Sequence, residues 1–310
     1  MKPAGNLLNA ALLVGVLALA MIQFALAPLL LLPLPLPLPL HGPLAAVALV
    51  LLLALTTPLH YGLMHETMHG HLFGDERWDR AIGRLLGILL GLPWETMRFG
   101  HLAHHSLNRH SYDRPEMLRP GQGRLSAAAV YYFKLAIGHA LSYALMPLPA
   151  LLPTRTTARV LSLAGPSPEV EQLRRRALHT FTNPKRRNGL RADIFAIFLL
   201  FGIAVWWWGA AWPVFAACVA ARWSVQSLLD NAPHYGMPLD SGLDARNTSM
   251  PVFLRLLVMN GNYHGIHHHS PQLHWRALPA AFARSGAETE GSWLAAVARQ
   301  FRGPIELESA

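Results

Sequence analysis

The chain has 310 residues, of which 52% are hydrophobic and 14% charged, with a formal net charge of +9. So apolar a composition excludes an ordinary soluble domain of this length, and the single cysteine, Cys218, excludes an internal disulfide and any cysteine-built zinc or iron–sulfur site. In a membrane protein the positive balance bears first on topology and only then on partners.

Residues 7 to 32 carry no charge, and a spanning helix needs about 20 apolar residues. The run is longer than a secretory h-region, and its one small-residue pattern, Ala25-Leu26-Ala27, is followed by Pro28; it reads as a retained membrane helix. Alternating prolines from Pro33 to Pro39 cannot continue a helix and set a turn. A second apolar run over 43–64 then completes a hairpin. Between Glu66 and Arg124 lie eight arginines. Within that stretch, residues 82 to 93 are too short to span and are expected as a surface helix or core segment. Residues 126 to 152 are apolar but interrupted by Lys134, His139, Pro147 and Pro149, so an in-plane or re-entrant segment is expected. A basic loop with nine Lys or Arg follows over 153–191, including Arg174-Arg175-Arg176 and Lys185-Arg186-Arg187.

The second expected hairpin has spans at 191–209 and 211–229, turning at Gly209-Ala-Ala-Trp-Pro213. Trp206-Trp207-Trp208 reads as an anchoring belt at the far interface. The tail from Asp230 holds six further arginines. The positive-inside rule places all three basic segments in the cytoplasm. The expected fold is therefore an all-α integral membrane protein. Four transmembrane helices (7–32, 43–64, 191–209, 211–229) form two hairpins, and a cytoplasmic helical cap of about 65–190 and 230–310 completes one domain over 1–310.

Thirteen of the 17 histidines fall in three short windows, each with metal-ligand spacing. The first holds His60, His65, His69 and His71, the second His101, His104, His105 and His110, and the third His264, His267, His268, His269 and His274. On a helix, residues three and four apart face the same way. His65 and His69, His101, His104 and His105, and His264, His267 and His268 thus form convergent imidazole patches. Eight nitrogens exceed the needs of one tetrahedral zinc and suit two ions; iron, copper, nickel and zinc all accept imidazole. His234 is a ninth candidate, near the end of the last span. His60, His71, His110, His269 and His274 are expected to be solvated or to support ligands. His41, His139 and His179 are expected to lie outside the site. Glu66, Asp113, Asp230, Asn231, Asn260 and Asn262 are candidates to hydrogen-bond ligand imidazoles, or else to cap helices or face solvent.

Two rival readings use the same residues. His65-Glu66-Thr-Met-His69 is a literal H-E-x-x-H, the arrangement of a zinc protease, for which Asp230 could supply a third ligand; that leaves the other two windows unemployed. A metal transporter would place ionisable groups near the bilayer midplane, whereas these histidines collect at the ends of the spans. No nucleic-acid module is present, and topology explains the arginines.

With its three boxes, His65-Glu-Thr-Met-His69, His101-Leu-Ala-His104-His105 and His264-Gly-Ile-His267-His268, the chain resembles the membrane fatty acid desaturase superfamily, which includes acyl desaturases, lipid hydroxylases and carotenoid ketolases. Met97-Arg98-Phe99-Gly100, Asp113-Arg-Pro115-Glu116 and Trp275-Arg-Ala-Leu278-Pro279 agree with the stretches that flank such boxes. The resemblance implies an oxidoreductase that binds two irons and uses dioxygen as co-substrate. Its metal ligands would be the nine histidines named above, His234 included. It implies a lipid acyl substrate, with carotenoid ketolation or hydroxylation as the alternative. It also implies an inner-membrane location with the active site facing the cytoplasm. Because the chain has no haem, flavin or iron–sulfur motif, electrons would come from an external ferredoxin or cytochrome b5 type donor with its reductase. The basic clusters would meet that donor or anionic membrane lipids.

Overall fold

The computed structural model describes residues 3–31, 42–108, 110–163, 168–239 and 245–307. The proline turn over 33–39 and His41 lie outside the described residues. Among these residues the architecture is helical, with only isolated bridges such as Asn247 to Tyr263. Three segments are long and apolar enough to cross a membrane: Asn6–Leu29, Pro43–His69 and Pro184–Asn231.

The first segment is not one continuous α-helix. Helix α1 (Pro3–Met21) passes into a π-helical turn (Ile22–Leu26) and then α2 (Ala27–Leu31). The wider turn frees backbone carbonyls, and two indoles take them: Trp207 Nε1 donates to Ala25 O at 2.9 Å and Trp208 Nε1 to Gln23 O at 3.2 Å. Trp208 is consequently buried, and only Trp206 and Trp207 remain exposed where a full belt was expected. Helix α3 (Pro43–His69) runs antiparallel to α1. Asn9 Nδ2 reaches Leu72 O at 2.5 Å, just beyond the end of α3, while Ala27 packs with Leu49 and Leu53 near its start.

Helix α4 (Glu76–Leu90) is capped by Asp75 and buries Leu86 and Leu90; it belongs to the core. Its flank is fixed by Arg80 to Glu95 and Arg84 to Asp193, both at 2.7 Å. Helix α5 (Trp94–Leu107) follows. The interrupted apolar segment forms α6 (Arg124–Phe133), a π-helical turn (Lys134–Gly138) and α7 (His139–Leu145), and is not among the segments able to span.

The basic stretch expected as a loop is mostly helical: α8 (Thr154–Ser162), α9 (Pro168–Thr182) and then α10 (Pro184–Trp208). Asn183 caps α10 by accepting from Lys185 N and Arg186 N, and Pro184 occupies its first turn, a favourable start signal. Lys185, Arg186 and Arg187 therefore sit in the helix, which begins earlier than 191. After Gly209, with φ of +50°, the chain reverses into α11 (Trp212–Asn231). The rings of Phe201 and Phe215 lie 5.7 Å apart, where a straight helix would separate them by about 21 Å. Phe198 and Trp206 are 68% and 77% exposed, a surface suited to lipid contact rather than water.

Between the π-helical turn, α3 and α11 lies a charge the apolar pattern hid. Arg222 is 5% exposed. It donates to Gln23 Oε1 at 2.5 Å and to His60 Nδ1 at 2.6 Å, while His60 Nε2 donates to Leu86 O at 2.9 Å. The remaining short helices, α12 (Val252–Arg255), α13 (His264–His269), α14 (Leu278–Ser285) and α15 (Trp293–Arg299), lie in the C-terminal part of the chain.

Candidate metal centre

Helical spacing sorts the histidines. His65 and His69 lie one turn apart on α3. On α5, His101 and His105 share a face, whereas His104 is rotated about 100° from His105. On α13, His264 and His268 share a face and His267 is turned from them in the same way. Each His-His doublet must therefore point in two directions. The result is one group of five, His65, His69, His101, His105 and His267, and a second of four, His104, His234, His264 and His268; within each, the available ligand atoms lie within 4.8 Å of one another. His234 joins from the turn after α11. The groups adjoin, with His105 and His268 stacked at 4.3 Å between centroids.

The local backbone is shaped for this convergence. Met259 and Asn260 take positive φ of 47° and 56° just before α13, a conformation costly for methionine and easier for asparagine. Asn247 Oδ1 accepts from Ile266 N at 3.1 Å. A Cβ on Gly265 would come within 2.6 Å of Ala245 O, so glycine alone allows this close approach.

The donor set fits metal ions. Nitrogens approach as His69 Nε2 to His101 Nε2 at 2.7 Å, His101 Nε2 to His105 Nε2 at 3.0 Å and His104 Nε2 to His234 Nε2 at 3.1 Å. An ion about 2.1 Å from two ligands at right angles separates them by about 3 Å. His65 Nε2 and both ring nitrogens of His268 are buried without a hydrogen-bond partner. Burial first, and neighbouring imidazoles second, hold His101, His267 and His268 well below the ordinary histidine range. Burial likewise lowers His105 to about 4 and His264 to about 3. Neutral rings keep a lone pair for coordination. His104 differs. Burial lowers it, but the Asp113 carboxylate hydrogen-bonded to Nδ1 outweighs that and raises it. A proton on Nδ1 leaves Nε2 free to face His234.

The other expected supporting residues are placed unevenly. Glu66 accepts from Trp275 N at 3.3 Å and lies 4.0 Å from His65 Nδ1 and 3.8 Å from His274 Nε2. Asn231 donates to Gln300 Oε1, Asn260 to Trp275 O and Asn262 to Thr248 O; none of these acceptors is a histidine. Asp230, the third ligand of the zinc-protease reading, accepts from His139 Nε2 at 2.8 Å and Tyr61 O–H at 3.0 Å and joins neither group. His60, His71, His110, His139, His179, His269 and His274 also stand outside the groups.

Two cavities adjoin the histidines. One of about 100 Å³ is walled largely by apolar residues including Pro58, Leu229, Val258 and Met259. One of about 360 Å³ is more polar and includes Asp113, Lys134, His139 and Tyr143. Sequence reasoning missed Tyr61 and His139 as residues of this region. Tyr61 carried a usable signal, since it lies one turn before His65 on the same helical face. His139 lay in an apolar run with nothing to mark its partner.

The family model described as Fatty acid desaturase matches residues 41–295, most of the chain. Comparison with curated proteins gives no match.

Proposed function

The chain belongs to the fatty acid desaturase family, and from that premise we propose that it is a membrane oxidoreductase that uses two irons and dioxygen to introduce a double bond into a fatty acyl chain. The division of nine imidazoles into adjoining groups of five and four carries the reading. One ion cannot employ such a set, and a pair can. Imidazole-rich ligation is compatible with iron. When bound, the two irons supply the activation of dioxygen and the removal of hydrogen from an unactivated carbon. Overall, a –CH2–CH2– unit, dioxygen, two electrons and two protons become –CH=CH– and two waters.

The chain's own residues do the rest. The histidines hold the ions as neutral donors, and Asp113 fixes the ring of His104. The small, largely apolar cavity beside His65, His264 and His267 accepts an acyl segment. Its apolar walls suit a hydrocarbon segment, and the family favours an acyl chain over the ring of a carotenoid, the alternative substrate class. Four crossings in two hairpins, with the histidines at the cytoplasmic ends in an inner membrane, are supported by the antiparallel pairing of α1 with α3 and by the reversal at Gly209. Electrons come from an acidic donor of ferredoxin or cytochrome b5 type. Helix α9 supports that role, because it carries Arg174, Arg175 and Arg176, and Arg176 donates to Ser106 Oγ at 2.6 Å on the helix bearing His101, His104 and His105. Charge reversal of Arg174 and Arg175 is expected to slow reduction by the donor; unchanged reduction would remove α9 from that role.

The test of the reaction is expression in a host that makes both fatty acids and carotene. New double bonds in acyl chains are expected. Oxygenated carotenoid rings with unaltered acyl chains would overturn the reading.

A further inference from the structure

Among the described residues, Asp230 is the only one that lines both cavities beside the histidines. The smaller cavity touches His65 and His267 of the first group and His264 of the second. The larger touches His101 of the first and His104 and His234 of the second. Two separate spaces thus reach the same pair of groups, and a hydrogen-bonded bridge stands between them. Tyr61 of α3 donates to Asp230 Oδ1 at 3.0 Å, and His139 of α7 donates to Asp230 Oδ2 at 2.8 Å. None of the three belongs to either histidine group. The side chains of His139 and Asp230 keep 37% and 27% of their surface accessible. The bridge therefore faces open space on the side of His139 and Asp230, while Tyr61 packs against the buried core around Leu63 and Met64.

We propose that the Tyr61–Asp230–His139 bridge is an end stop that divides one passage along the metal centre and so limits the length of chain the protein accepts. The inference rests on the acyl-chain reading above and adds the residues that set its selectivity. A hydrocarbon tail entering the apolar cavity meets the Tyr61 and His139 side chains, which their hydrogen bonds to Asp230 hold across the passage. Displacing either one would break its hydrogen bond to the carboxylate with no replacement from methylenes, which is unfavourable. The tail stops there. Removing either donor side chain joins the two spaces and lets further methylenes be buried.

The experiment measures equilibrium binding of saturated fatty acids and of n-alkanes, dodecyl to octadecyl, to the metal-loaded protein in lipid nanodiscs without reductant. No turnover is needed. In wild type, affinity is expected to stop rising beyond a limiting length. In Tyr61→Ala and in His139→Ala that limit moves to longer chains, raising octadecyl over dodecyl preference by about tenfold, the gain from about two more buried methylenes. Tyr61→Phe, which keeps the ring, is expected to shift the ratio less than Tyr61→Ala. Bound metal should stay at the wild-type level in all three, which separates an end stop from general damage. An unchanged length profile in both alanine variants, or a failure of both probe series to bind wild type, would overturn the proposal. A length shift seen with alkanes while fatty acids fail to bind would keep the end stop and remove the acyl reading.

Discussion

Helix α3 carries two histidines five residues apart, His60 buried and His65 partly buried, that do opposite things. His60 is saturated: its Nε2 donates to Leu86 O and its Nδ1 accepts from Arg222. His65 leaves Nε2 buried with no hydrogen-bond partner and faces His101 and His267 at 4.4 and 4.6 Å between ring centroids. A buried polar atom left unpaired is costly. Its persistence in the histidine centre marks a place completed by a ligand, whereas the closed network around Arg222 marks a structural tie. Spacing cannot tell the two apart, since His60 and His65 form as plausible a ligand pair as His65 and His69. Partners can.

The largest effect should fall on the open cluster. His104→Ala and His267→Ala, one from each group, are expected to abolish turnover and release metal while the protein still inserts into membranes; wild-type metal content in either would remove that residue from the ligand set. The closed network should respond in the opposite sense. Arg222→Ala strands Gln23 and His60 and is expected to cost about 2–4 kcal/mol of stability, read as a lower melting temperature in detergent, with metal retained below the transition. Metal loss without a fall in melting temperature would erase the contrast between the clusters.

Smaller effects sharpen the boundary between them. Asp113→Asn removes the charge that orients His104 and is expected to weaken metal binding about 10–100-fold in competition with a chelator. Asn231→Ala breaks a hydrogen bond to Gln300 instead of one to a histidine and is expected to cost about 1 kcal/mol of stability with metal affinity unchanged. A loss of metal affinity as large as that of Asp113→Asn would place Asn231 in support of the ligands.

The histidine boxes were legible because helical periodicity turns sequence spacing directly into direction. The doublets at His104-His105 and His267-His268 even encode the division into two groups, once each is seen as one residue's rotation on a helix. Other features depend on distant contacts. The π-helical turn over Ile22–Leu26 becomes intelligible only when Trp207 and Trp208 are seen taking the carbonyls it frees. Helix α10 begins at Pro184 because Asn183 caps it, a local signal masked by the charge of Lys185, Arg186 and Arg187. Arg222 ended an apparently uncharged run, and its partners come from two other helices. The Asp230 bridge joins three elements, so no single window of sequence could contain it.

Anaerobic purification followed by metal analysis tests the central claim most directly. Two irons per chain, both lost in the His104→Ala and His267→Ala variants, is the expected result. A single zinc per chain, retained when His104 is removed, would contradict it.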